Sequence, residues 1–148
     1  MVLSEHFDQS EFELDGALPE TCVSVFQKLC SSLLEPIRSQ FNLPITVTSG
    51  YRSPAANAAA HGVPNSEHVA SADTCAADWY IVGQDMRAVF DWIRLSSGLR
   101  WGQVILEHGT HNDIIHLSVN PRLQRDALEG ATANRTGYQR WAVSPLES

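Results

Sequence analysis

The sequence lacks most of the features that would assign it quickly. No run of about 18 apolar residues occurs, so nothing in it reads as a membrane span. The start, Met1 to Phe12, has neither the basic opening nor the apolar core of a secretory signal. That predicts a protein that stays in the cytoplasm that made it, or is released by something other than a signal peptide. Basic residues are few: 10 Lys+Arg stand against 17 Asp+Glu, a formal net charge of −7. A nucleic-acid partner is therefore not expected, because phosphate-backbone affinity needs clustered Lys and Arg. Three cysteines, Cys22, Cys30 and Cys75, form no disulfide framework. Cys22 and Cys30 fall on one predicted helix, roughly 12 Å apart at about 1.5 Å per residue, too far to bridge. All three are read as buried free thiols. Internal repeats and low-complexity blocks are absent.

What is present suits one globular domain. The chain has 148 residues, 43% of them hydrophobic, enough to bury a core without staples. Residues 1–17 read as an extended lead-in pinned by Phe7 and Phe12, and 129–148 as a C-terminal tail docked by Tyr138 and Trp141. Val23, Phe26, Cys30, Leu33, Ile37 and Phe41 recur at helical spacing, with Pro36 predicting a kink or break. Ile45–Thr48, Ala76–Val82, Gln103–Glu107 and Ile114–Val119 read as strands, and Ala55–His61 as a brief helix. Gln84–Ser97 reads as an amphipathic helix closed by Gly98. A weak helix is expected near Leu123–Leu128. Strands and helices are mixed without strict alternation. That favours an α+β fold, a small and mainly antiparallel sheet with helices packed on one face.

The chemistry-bearing residues cluster beside two predicted strands: His68, Asp73 and Asp78 near one, Glu107, His108, His111, Asp113 and His116 near the other. His68, Asp78 and His116 would supply the three protein ligands of a catalytic zinc site. Asp73 competes for the second position. His108 and His111 read as exposed loop residues, and the four tryptophans as core or docking groups.

Ordered motifs sharpen this. Ser49-Gly50-Tyr51-Arg52-Ser53-Pro54 with Asn57, then Ser66-x-His68, Ala76-Ala77-Asp78, Gln103-Val104-Ile105-Leu106-Glu107 and Ile115-His116-Leu117-Ser118 follow one another. Together they resemble the zinc D-alanyl-D-alanine carboxypeptidase family, which includes bacterial peptidoglycan peptidases and phage endolysins and shares its fold with the hedgehog signalling domain. The likeness extends over roughly residues 3–128. It implies one zinc ion held by His68, Asp78 and His116. Arg52 would contact the substrate near its scissile carbonyl or carboxylate, Glu107 would act as catalytic base, and Ser66 and Gln103 would be supporting polar groups. The family pattern is departed from where Ser71 takes a glycine position, where Ile114 stands in place of a tryptophan, and in the spacing of the first two ligands. Nine residues separate His68 from Asp78 where the family has six, so residues around Ser71–Cys75 must loop out. Asp113, three before His116, is a second candidate for base.

The implied activity is hydrolysis of peptidoglycan stem peptides by a D,D-carboxypeptidase or related endopeptidase. The protein would be a monomer, either cytoplasmic in a bacterium or, in the manner of an endolysin, phage-encoded and released to the cell wall. The alternative is a non-catalytic phage structural or wall-binding module that kept the fold.

Overall fold

A computed structural model describes residues 1–131 and 137–146. Within the predicted tail, residues 132–136 and 147–148 lie outside the described residues. The lead-in is a small antiparallel hairpin of β1 (Val2–Ser4) and β2 (Phe7–Asp8) followed by a 3-10 turn over Gln9–Phe12. Asp8 caps that turn: its carboxylate accepts from the Ser10 N–H, and Glu11 reaches back to the Asp8 N–H at 2.7 Å, a capping box. Phe7 and Phe12 are buried and stack in sequence onto Phe26. The expected pinning of the lead-in is observed.

The first amphipathic stretch forms α1 (Val23–Leu29), a π-helical stretch over Cys30–Leu34, and α2 (Glu35–Phe41). The helix does not break at Pro36. Instead the wider turn before it takes up the missing donor, with Glu35 N–H reaching back five residues to the Cys30 carbonyl. Ser31 and Ser32 hydroxyls bond the Gln27 and Lys28 carbonyls. Pro36 sits in the first turn of α2, where a proline costs least. Asn42, at φ 54°, ends the run. Phe26, Cys30, Leu33 and Ile37 are all buried, as their spacing predicts. The three cysteines are free and buried. Burial pushes the Cys30 thiol up to about 12 and the Cys75 thiol well above its ordinary value.

Among the described residues, six strands form the main sheet: β3 (Thr46–Ser49), β4 (Cys75–Tyr80), β5 (Gln103–His108), β6 (Asp113–Val119), β7 (Asp126–Ala131) and β8 (Gln139–Trp141). Their order is β3-β4-β6-β5-β7-β8, antiparallel throughout except for the parallel pair β5–β7. Alternation splits the strands between two faces. Cys75, Ala77, Trp79, Val104, Leu106, Ile115, Leu117 and Val119 join the core, covered by α1 and by α4 (Met86–Leu95). Asp85 caps α4, and Gly98 follows it at φ +65°. Trp79 and Trp101 lie fully inside the core and Trp92 and Trp141 pack against it. The short α3 (Pro54–Ala59) packs instead against a 3-10 turn over Glu67–Val69. No helix among the described residues is long and apolar enough to cross a membrane.

The helix expected near Leu123–Leu128 is absent. Leu123 and Arg125 stand at φ 44° and 57°, a left-handed backbone that no helix continues. The edge of β5 offers a row of unpaired backbone groups, and Asp126–Ala131 pairs with it as β7. Local propensity yields to that pairing.

His108 is not a loop residue either. It ends β5, and its ring bonds Asp113 at 3.0 Å on one side and Glu129 of β7 at 2.6 Å on the other. Glu129 also binds Arg87 of α4 and, at 3.0 Å, the indole N–H of Trp141. These bonds raise the His108 pKa, Glu129 contributing first and Asp113 second. A pKa raised by folding adds stability that is complete below the unfolded value, about 6.5, and is lost as pH climbs through the folded one. His108→Gln should therefore lower the urea midpoint at about pH 5.5 and have little effect at about pH 9. Equal losses at both pH values would contradict that linkage.

Candidate metal centre

Cross-strand register assembles the site. Ser49 of β3 lies opposite Asp78 of β4, Asp78 opposite His116 of β6, and His116 opposite Ile105 of β5. These residues share the sheet face away from α1 and α4. His68 reaches the same face from the short turn after Ser66, whose hydroxyl accepts from the His68 N–H. Two bonds from the Gly50–Arg52 segment fix it. The Arg52 N–H donates to the His68 carbonyl at 2.8 Å, and the His68 Nδ1–H donates to the Gly50 carbonyl at 2.7 Å. With Nδ1 so used, His68 turns Nε2 inward.

Three ligand-type atoms converge there. His68 Nε2 lies 3.1 Å from Asp78 Oδ1, His116 Nδ1 lies 3.0 Å from the same oxygen, and the two nitrogens are 3.2 Å apart. All three residues are buried, and among the described residues this is the cluster able to hold a metal ion. Two neutral imidazoles and a carboxylate are the donor set of a catalytic zinc site with one position open.

The three groups are electrostatically coupled. Burial opposes the ionised Asp78, yet the neighbouring histidines, His68 foremost, hold its carboxyl far below the usual carboxylate range. Burial likewise opposes a charged His116, and the bonds to Asp78 and Glu67 together with the charges of Asp78 and Glu107 push its pKa up. His116 Nε2, the atom turned away from the cluster, is buried without a hydrogen-bond partner. Its nearest carboxylate is Glu67 Oε1 at 3.8 Å, while the other Glu67 oxygen accepts from Asn120 Nδ2 at 3.0 Å. A carboxylate behind a ligating imidazole fixes its tautomer and ring orientation. Glu67 is placed for that role, and it lies inside the Ser66-x-His68 motif itself.

A cavity of about 480 Å³ opens over the cluster. Arg52, Ser66, Gln103 and Glu107 line it together with His68, Asp78 and His116. Arg52 Nη2 lies 3.5 Å from Asp78 Oδ2. Glu107 is buried on the same face, two residues along β5 from Ile105. Asp113 and Asp73 are not brought there. Asp113 is three residues from His116, an odd step that turns it to the opposite sheet face, and it pairs with His108. Asp73 accepts from Ser71 Oγ and Thr74 Oγ1 in a turn closed by the Ser71 N–H to Thr74 carbonyl bond. That turn lies within the nine residues that separate His68 from Asp78. His111 is exposed.

Two further residues of the site have no sequence signal. Asp15 accepts from the Ser49 hydroxyl at 2.9 Å. Tyr138, expected only to dock the tail, lines the cavity. Its ring lies on Gly130, where an added Cβ would fall 2.1 Å from Tyr138 Cδ1.

Comparison with known families places this geometry. Residues 5–118 match the Peptidase M15 family, and the chain belongs to it. M15 peptidases are zinc-dependent enzymes that act on peptides. No curated protein matches the chain.

Proposed function

We propose that this M15 peptidase hydrolyses D-Ala-containing peptidoglycan stem peptides, as a D,D-carboxypeptidase or a related endopeptidase. The observation that carries the reading is the buried convergence of His68, Asp78 and His116 beneath a cavity lined by Arg52 and Glu107. His68 through Nε2, His116 through Nδ1 and Asp78 through Oδ1 would hold one zinc ion. When bound, zinc supplies a polarised carbonyl and a water acidic enough to attack near neutral pH.

The protein's own groups do the rest. Glu107 takes a proton from the attacking water and returns it to the leaving amine. Its carboxylate lines the cavity on the same sheet face as His116. The Arg52 guanidinium stabilises the negative oxygen that develops on the substrate. Gln103 and Ser66 bound the cavity that receives the peptide. The stretched His68–Asp78 spacing, which favours a non-catalytic module, counts less once the two side chains meet at 3.1 Å.

The test is metal content together with hydrolysis. Protein purified without chelator is expected to carry about one zinc per chain. It should release free D-Ala from a D-Ala-D-Ala-terminated peptide if it is a carboxypeptidase, or internal fragments from purified peptidoglycan if it is an endopeptidase. A metal-free protein that stays inert on both substrates with added zinc would overturn the reading.

A further inference from the structure

Arg52 sits between two carboxylates. Its side chain is only 12% exposed. Nη2 faces Asp78 Oδ2 at 3.5 Å, and Nε donates to the Ser49 hydroxyl at 3.2 Å. Ser49, itself buried, donates in turn to Asp15 Oδ2 at 2.9 Å. Asp15 Oδ2 lies 3.9 Å from Arg52 Nε, and the Asp15 carboxylate is 39% exposed. Direct attraction between Asp15 and Arg52 is therefore long and screened by solvent. The hydroxyl between them is the short, buried link.

The geometry points to Asp15 as a positioning residue for Arg52, acting through the Ser49 hydroxyl. Asp15 orients the hydroxyl so that its lone pair meets the Nε–H, and the guanidinium plane is tied back on one edge. Without that tie the guanidinium is drawn toward Asp78, the carboxylate facing its Nη2, and leaves the position from which it meets substrate. The kinetic consequence rests on the peptidase reading above; the structural one does not.

The lead-in is built to deliver this carboxylate. The Tyr51 N–H donates to the Phe12 carbonyl at 2.9 Å. Gly50 lets the two segments touch, because a Cβ there would fall 2.6 Å from Phe12 Cα. Asp15 then pairs with Arg52 in an isolated parallel bridge. Gly16, at φ +147°, lies against the Tyr51 ring. Residues 1–17 thus complete the site as well as covering the core.

Two measurements test the relay. In kinetics, Asp15→Ala and Ser49→Ala should each lower kcat about tenfold with KM changed less than about twofold, as for loss of a group that acts in the transition state. Asp15→Asn keeps an acceptor oxygen and should stay within about threefold of wild type. In an Arg52→Ala background neither alanine should cost more than about a further twofold, since coupled residues are non-additive. In solution, the Nε–H resonance of ¹⁵N-labelled Arg52 should exchange slowly with water in the wild type and in Asp15→Asn, and quickly in both alanine variants. A full-sized loss in the Arg52→Ala background would overturn the proposal, as would Asp15→Asn behaving like Asp15→Ala, or an unchanged resonance. If the wild type cleaves neither substrate, the peptidase reading fails and the resonance still decides the relay.

Discussion

Asp78→Asn is expected to cost more than any other single change: metal affinity should fall by well over about 100-fold and hydrolysis by about 10³-fold or more. The estimate follows from position. Loss of a partner behind a ligand already costs about 10–100-fold in affinity, and Asp78 is the one anionic donor in the cluster. Its Oδ1 faces both histidines and its Oδ2 faces Arg52. An amide of the same shape neutralises that charge and offers a far weaker donor oxygen. It also leaves Arg52 without a carboxylate on that side, and breaking a buried pair can cost about 3–5 kcal/mol of stability. Circular dichroism and a urea midpoint should accompany the zinc titration for that reason. Chelation of the wild-type protein gives the parallel result without a mutation: activity is lost and returns with added zinc. Wild-type activity that survives complete metal removal would refute the metal centre.

The second large effect separates the two carboxylates that spacing leaves open. Glu107→Gln should lower kcat by about 10²–10⁴-fold, the usual range for a general base, while zinc content stays at the wild-type level. Asp113→Asn should change kcat by less than about threefold. The reason is strand parity. His116 lies opposite Ile105, and Glu107 is two residues further along β5, so its side chain emerges on the cavity face. Asp113 is an odd number of residues from His116 and emerges on the other face, against His108. A large loss on Asp113→Asn with a mild one on Glu107→Gln would reverse the assignment. Zinc analysis of both variants shows whether any loss belongs to the proton transfer or to the metal.

Much of the fold is legible in the amino-acid sequence. Alternation places Val104 and Leu106 in the core, and Ala76-Ala77-Asp78 leads into a strand as expected. The amphipathic stripe of Phe26, Cys30, Leu33 and Ile37 forms a helix, because a period near 3.6 survives whatever packs on it. Its passage through Pro36 is not legible, since a π-turn depends on the space its neighbours leave. The tail misleads for a related reason. Asp126–Ala131 has helix-compatible residues, and only the free edge of β5 makes it a strand.

The sequence by itself set out the candidate ligand types, their order and the strands that carry Asp78 and His116. It could do so because period-2 alternation and ordered motifs are local properties of the chain. Tertiary structure decided which groups meet. Asp78 rather than Asp73 faces the histidines because Asp78 lies opposite His116 in the sheet, while Asp73 is held in the Ser71–Thr74 turn. Glu107 rather than Asp113 lines the cavity because strand register sets the face. Asp15, Glu67 and Tyr138 join the site through contacts across 34, 49 and 8 residues of chain, with Ser49, His116 and Gly130 respectively. Hydrogen bonds and packing at such separations leave no period in a sequence, so only the folded chain reveals them.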